Sequence, residues 1–315
     1  MKIAILDYET LGDDIKLDKF SEFGELELFK RLSREEILER VEDKDIVIIN
    51  KIDIDKEFLD RAKKLKMVAI TATGYNNVDL DYAKEKGVKV YNVAGYSTES
   101  VVQHTFSMAL SMLNHISSME DYVRTGKYTE SNMMTRLDMP IRQLSDLKWG
   151  IIGLGDIGKR VADIANAFDA EVVYNSPREM NCEYRRLELD ELLKYADIIS
   201  IHCPLNQSTD RLIDYSKLKL MKKDAIILNL ARGGIIVEED LIRALNEDII
   251  GGACLDVFER EPIDGDNKLL NISKDKLIMT PHIAWAGLSA RRKLIEGVYN
   301  NIKSFIEDGE IEPLN

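Results

Sequence analysis

An arginine, two glutamates and a histidine stand just past three apolar runs in the second half of the chain. Ala225–Leu230 leads into Ala231-Arg232-Gly233-Gly234, Gly252–Asp256 into Val257-Phe258-Glu259-Arg260-Glu261-Pro262, and Leu277–Thr280 into Pro281-His282. Parallel strands deliver such residues to one edge, where open α/β sheets bind their ligands. Together these side-chain types can reduce an α-keto acid beside a nicotinamide. A guanidinium fork matches a carboxylate and polarises the adjacent carbonyl. An imidazolium donates the proton as hydride arrives, and a carboxylate on its other nitrogen fixes the tautomer and favours the charged form. Glu259 and Glu261 compete for that acid role. Arg232 has a structural alternative, an ion pair with Asp256 or Glu261. Of the four histidines, His104 and His202 also stand at possible cleft positions, and His115 shares a long helical segment with His104. No pair has metal-ligand spacing with a nearby carboxylate, so no catalytic metal is expected.

A second chemical signal lies upstream. Trp149–Ile152 runs into Gly153-Leu154-Gly155-Asp156-Ile157-Gly158 and then a helical stretch, Lys159–Phe168. That is G-x-G-x-x-G in its required setting of strand, turn and helix. The first glycine permits a tight turn, the second lets a pyrophosphate approach the backbone, and the third lets helix pack on strand. Exposed N–H groups at the helix start complete an anion site. The rival P-loop reading fails, because Arg160 follows Lys159 where a magnesium-binding hydroxyl is needed. At the end of the next strand stand Asn175-Ser176-Pro177-Arg178, with no acid for ribose hydroxyls. Ser176 or Asn175 can bond a ribose and Arg178 can meet a 2′-phosphate, so cofactor choice stays open.

The elements that must position these groups follow a regular rhythm. Strand-like runs occur at Ile3–Leu6, Leu26–Leu28, Asp45–Ile49, Met67–Thr71 and Val88–Tyr91, then at Lys148–Ile152, Glu171–Tyr174 and Ile198–His202. With the three runs above they alternate with helical stretches, and they lack period-2 alternation. Both features point to doubly wound parallel sheets covered on both faces. Ser33-Arg34-Glu35-Glu36 fits a capping box. The long helical run Val101–Tyr122 breaks the rhythm and carries the chain between domains. Thr125–Leu147, with Met133-Met134 and Pro140, reads as an arm, and the helix Ser289–Gly309 as a return to the first domain.

The chain has 315 residues, with 43 Lys and Arg against 56 Asp and Glu and a net charge of −13. That length favours two domains, and the acidic balance disfavours nucleic acid as a partner. Cys182, Cys203 and Cys254 form no CxxC, which suits a reducing compartment rather than a disulfide framework. The opening Met1–Leu6 reads as a strand, not a signal peptide, and no apolar run approaches the ~18 residues of a membrane span. A cytoplasmic enzyme or binding protein is expected.

Six ordered segments carry a family resemblance: Thr73–Asp79, Gly153–Gly158, His202–Asn206 through Thr209, Asn229–Gly233, Asp256–Pro262 and Pro281-His282. Over essentially its whole length the chain resembles the D-isomer-specific 2-hydroxyacid dehydrogenases. The resemblance implies a Rossmann nucleotide-binding domain, residues 100–287, inserted into a flavodoxin-like substrate domain, residues 1–99 plus 288–315. It implies Glu261 rather than Glu259 as the catalytic glutamate, since that acid directly precedes proline. It implies His282 as proton donor, Arg232 as substrate-binding arginine, and backbone N–H groups around Thr73 and Gly74 as carboxylate holders. Cofactor contacts are implied at Gly153, Gly155, Asp156, Ile157, Gly158, Ser176, Cys203, Pro204, Thr209, Leu230, Ala231, Asp256, His282 and Ala284. The intact Glu261 separates the chain from the formate dehydrogenase branch, where glutamine stands.

Within the family, Ala72–Asn77, Gly95–Thr98 and His282–Ala286 look most like the glycerate dehydrogenase (hydroxypyruvate reductase) group. Ser176 stands where many NAD-using relatives carry aspartate, which leaves NAD the first expectation and NADP open. Reversible NAD(P)H-dependent reduction of hydroxypyruvate or glyoxylate to the D-2-hydroxy acid is therefore expected, in a homodimer joined through the nucleotide domain. D-lactate or a bulkier D-2-hydroxy acid is the alternative substrate. A nucleotide-sensing, corepressor-like binding protein is the alternative of another class.

Overall fold

Runs such as Ile46–Ile49 and Ile226–Asn229 are buried at every position, as strands covered on both faces must be. The computed structural model describes residues 1–315 and divides into two compact units. One comprises Met1–Ser97 with Ala286–Asn315, the other Thr98–Trp285.

The first unit holds β1 (Lys2–Ile5), β2 (Glu25–Leu28), β3 (Ile46–Ile49), β4 (Met67–Ile70) and β5 (Lys89–Tyr91). All pairings are parallel, in the order β2-β1-β3-β4-β5, which is the flavodoxin-like arrangement. Ser33 and Glu36 form the expected capping box on the helix Arg34–Arg40. The chain's second end completes this unit. Its helix Leu288–Ile306 packs so closely that a Cβ on Gly297 would meet Val93 Cγ1 at 2.5 Å. Beyond it, Asn315 bonds both Val88 and Val90 beside β5.

The second unit holds β6 (Lys148–Ile152), β7 (Glu171–Asn175), β8 (Arg185–Arg186), β9 (Ile198–Ile201), β10 (Ile226–Asn229), β11 (Gly252–Leu255) and β12 (Leu277–Met279). Their order is β12-β11-β10-β9-β6-β7-β8, all parallel, so the topological switch lies between β6 and β9. One face packs Trp149 and Tyr174 against Phe106 and Val161; the other packs Ile199 and Ile227 against Leu192 and Leu241. The buried Trp149 ring sits 4.9 Å from Phe106, and its Nε1–H donates to Ser200 Oγ at 2.9 Å. The two units are thus two doubly wound parallel-sheet α/β folds, as the strand rhythm predicts.

Three local expectations change. The long helical run is two helices, Thr98–Leu113 and Ile116–Arg124, broken where His115 adopts a left-handed φ of 51° and reaches Pro140 O at 3.2 Å. The edge strand β8 has no counterpart in the sequence reading, because two arginines carry no apolar pattern. Expected strands also end early: His202, Leu230, Asp256 and Thr280 lie just beyond their ladders. Those are positions where backbone leaves the sheet for the site.

Candidate active site

The three loop glycines face three different surroundings. Gly153 has φ +95°, and a Cβ there would meet Cys203 N at 2.6 Å. A Cβ on Gly158 would meet Gly153 O at 2.1 Å, so helix Asp156–Ala167 can pack here only on a glycine. Gly155 caps that helix with no side-chain bond, and the space a Cβ would occupy is open within 4 Å. An open backbone face before uncapped helical N–H groups fits a dinucleotide pyrophosphate. Asp156 and Ile157 open the same helix, at its positive dipole end.

Beside this loop, His202 N–H donates to Ile152 O at 2.8 Å, and Thr209 Oγ1 braces the Cys203–Thr209 turn by donating to Pro204 O at 2.6 Å. Burial pushes the Cys203 thiol up to about 11, which leaves it protonated and poorly nucleophilic. His202 Nε2 is buried without a partner, and desolvation holds the ring neutral, its pKa pushed down to about 3. Between that value and the ordinary 6.5, the unfolded chain binds a proton that the folded chain refuses. Stability from this group is therefore present above pH 6.5 and lost as pH falls through that window. His202→Leu is expected to make Tm fall less steeply from pH 7 to pH 4; an unchanged slope would contradict this.

Strand β10 ends on buried Asn229, whose amide shapes the turn that follows. Its Oδ1 accepts from Ala231 N–H at 3.1 Å, and its Nδ2 donates to Arg232 O at 2.9 Å. A Cβ on Gly233 would lie 1.9 Å from Phe258 C, so this turn presses directly on the backbone that leads to Glu261. Leu230 is buried beneath the turn, while Ala231 and Arg232 are half-buried. The guanidinium donates only to Ala231 O, at 2.7 Å. It pairs with neither Asp256 nor Glu261, so the structural alternative for Arg232 is overturned.

The two glutamates divide their tasks. Glu259 Oε1 accepts from Glu238 N–H at 2.9 Å, at the start of helix Glu238–Asn246. Glu261 Oε1 accepts from Phe258 N–H at 3.0 Å, and its Oε2 lies 2.6 Å from His282 Nδ1. Facing an acceptor-only carboxylate, Nδ1 carries hydrogen, which turns Nε2 toward other business.

His282 sits at φ +52°, a left-handed conformation that costs a non-glycine residue about 1–3 kcal/mol. Its own N–H is claimed by Asp256 O at 2.8 Å and Thr280 O at 3.0 Å. The fully buried Asp256 carboxylate secures the rest of the loop. Oδ1 accepts from Thr280 Oγ1 at 2.6 Å and Ile283 N–H at 2.9 Å, and Oδ2 from Ala284 N–H at 2.9 Å. His104 Nε2 lies 2.9 Å from Thr280 Oγ1 and 3.7 Å from Asp256 Oδ1. Because Thr280 gives its hydrogen to Asp256, His104 Nε2–H is the donor of that contact. Asn229, Thr280 and His104 thus support the arginine and the histidine. In the sequence His104 stands out only by its place, and neither Asn229 nor Thr280 is marked as a supporting group. Asn229 carried a usable signal, an amide side chain between an apolar strand and a glycine turn.

Asp256→Asn is expected to fold less stably by about 1–3 kcal/mol, since an amide cannot accept every bond that the carboxylate accepts. Turnover should fall with it, because the loop carrying His282 loosens. Unchanged melting and unchanged turnover would remove Asp256 from this supporting role.

Thr73 and Gly74 belong to the first unit, in the turn beyond β4. Thr73 Oγ1 donates to Val93 O at 3.0 Å and Asn92 Nδ2 donates to Thr73 O at 2.6 Å. These bonds fix the turn and leave both backbone N–H groups without a protein acceptor.

A Rossmann-ordered sheet, an open glycine loop and an arginine with a histidine–glutamate pair at its strand ends define a dinucleotide-dependent oxidoreductase. Residues 106–284 match the family model described as D-isomer specific 2-hydroxyacid dehydrogenase, NAD binding domain. The chain is 36% identical to hydroxypyruvate reductase of Blautia hydrogenotrophica, covering 100% of both chains. It is 33% identical to glycerate dehydrogenase of Methylorubrum extorquens, over 97% of this chain and 96% of that one. The crystal structure of the TT0316 protein from Thermus thermophilus superposes with a TM-score of 0.90 at 33% identity, covering 100% of this chain and 99% of that one. The chain belongs to the D-isomer-specific 2-hydroxyacid dehydrogenase family.

Proposed function

We propose that this chain reduces a small 2-keto acid, hydroxypyruvate or glyoxylate first, to the D-2-hydroxy acid with NAD(P)H, and catalyses the reverse. The observation that carries the proposal is the 2.6 Å His282–Glu261 contact at the strand ends that also present an arginine without a counter-ion. The hydroxypyruvate reductase and glycerate dehydrogenase relatives support this substrate class.

When bound, the reduced nicotinamide supplies hydride to the carbonyl carbon. The Arg232 fork holds the substrate carboxylate. In the first unit, the N–H groups of Thr73 and Gly74 are available as anion donors. His282 gives the Nε2 proton to the carbonyl oxygen, and Glu261 keeps the ring turned for that transfer. Gly153, Gly155, Asp156, Ile157 and Gly158 receive the pyrophosphate, with Ser176 at the adenosine end. Cys203, Pro204, Thr209, Leu230, Ala231, Asp256 and Ala284 form the remaining cofactor surroundings. In this reading residues 98–285 bind the nucleotide, and the flavodoxin-like unit serves the substrate.

The protein acts as a cytoplasmic homodimer joined through the nucleotide-binding unit. Supporting the dimer, the arm at 125–147 exposes Met134 at 90% and Leu137 at 81%. Three free cysteines support a reducing compartment, and no helix is long and apolar enough to cross a membrane.

The test is oxidation of NADH and NADPH with hydroxypyruvate, glyoxylate and pyruvate in parallel. Fastest turnover with hydroxypyruvate or glyoxylate is expected. Faster turnover with pyruvate would keep the mechanism and move the substrate to lactate. Dinucleotide binding without turnover of any 2-keto acid would overturn the catalytic reading.

A further inference from the structure

Helix Thr98–Leu113 runs beside the loop that carries His282, and packing fixes its position. Val101, Val102, Phe106 and Met108 are buried, and Met112 stands so close to β11 that a Cβ on Gly252 would meet its Sδ at 2.6 Å. Ser100 and His104 lie half-buried one turn apart, so both side chains leave the same helix face. Ser100 Oγ donates to Ala284 O at 2.6 Å, and His104 Nε2–H donates to Thr280 Oγ1 at 2.9 Å. Those two partners stand two residues to either side of His282.

Asp256 holds the same two residues through other groups, accepting from Thr280 Oγ1 and Ala284 N–H. Each end of the loop is therefore tied twice, once to the end of β11 and once to the helix. The double hold has a reason in the backbone. His282 keeps a left-handed φ of +52°, a conformation that persists only where the surroundings over-determine it. Three bonds from the loop to one carboxylate share a single anchor and leave the loop free to pivot about it. Two further bonds to a packed helix remove that freedom.

We propose, on the dehydrogenase reading above, that Ser100 and His104 are positioning residues whose grip on both ends of the loop sets where His282 presents its Nε2 proton. The arginine turn is built separately, since Asn229 shapes it through Ala231 and Arg232. Loss of the grip therefore slows proton transfer and leaves binding of the 2-keto acid largely intact.

The test compares Ser100→Ala, His104→Leu and His104→Gln with the wild-type chain, in H2O and D2O, using the 2-keto acid that the wild-type chain reduces fastest. Ser100→Ala and His104→Leu should each lower the single-turnover rate about 3–10-fold, the worth of one hydrogen bond, with KM little changed. Their solvent isotope effects should rise, because a misplaced donor makes proton transfer a larger part of the barrier. His104→Gln should recover most of the rate, since its amide nitrogen supplies a donor to Thr280 in place of the imidazole. Amide exchange at Ile283 and Ala284 should quicken in the two impaired variants. A lower Tm with wild-type rate and isotope effect would leave both residues merely structural and overturn the positioning role. So would a loss confined to KM, or equal impairment of His104→Leu and His104→Gln. If His104→Leu melts below the assay temperature, Ser100→Ala, which removes a single oxygen, decides by the same readouts. A wild-type chain that binds dinucleotide yet reduces no 2-keto acid would overturn the dehydrogenase reading, and this one with it.

Discussion

His282→Asn lowers kcat by about 10²–10⁴, the range that a positioned general acid supplies. The choice of asparagine follows from the backbone. His282 holds φ +52°, and asparagine enters the left-handed region more readily than most side chains. The substitution therefore removes the imidazole and keeps the conformation that Asp256 O and Thr280 O impose on residue 282. His282→Ala loses the same proton donor but adds the left-handed penalty, so it should melt lower than His282→Asn at a similar rate. Single-turnover consumption of reduced nicotinamide separates the chemical step from product release, and thermal melting of both variants separates stability from chemistry. An asparagine variant that keeps more than about a tenth of wild-type turnover would remove His282 from the proton-donating role, since a general acid is worth at least about 10².

The sheets were legible in the sequence because their strands are continuous apolar runs, and such runs need no partner to be recognised. The reactive groups were legible for a related reason: each follows one of those runs directly. What surrounds the reactive groups was not legible. Asp256 accepts from Ile283 and Ala284, 27 and 28 residues further along the chain, and these donors are backbone N–H groups without side-chain identity. His104 meets Thr280 from 176 residues away, so no periodicity could announce the contact. The division of labour between Glu259 and Glu261 is equally a tertiary matter. Two acids two residues apart look alike until helix Glu238–Asn246 claims the first and His282 meets the second. The family pattern of a glutamate before proline singled out Glu261 where composition and spacing left both possible.

Arg232→Lys keeps the charge and lowers kcat/KM by about 10–150-fold, the worth of one charge-assisted hydrogen bond lost from a bidentate pair. The geometry explains why charge alone does not suffice. One guanidinium nitrogen is spent on Ala231 O at 2.7 Å, which holds the planar group in one orientation with its other N–H groups available. An ammonium on a flexible stem has no second edge with which to brace itself and still present two parallel donors. The loss should appear mainly in KM if the fork holds the carboxylate equally in ground and transition states. It should appear in kcat as well if the guanidinium also polarises the carbonyl. Stability provides the independent readout. Because Arg232 has no carboxylate partner, Arg232→Lys and Arg232→Gln leave no buried anion uncompensated, and Tm should stay level or rise. An arginine kept for folding would behave the other way, with melting depressed and KM unmoved. A lysine variant with wild-type kcat/KM, measured with hydroxypyruvate, would show that the carboxylate is held elsewhere.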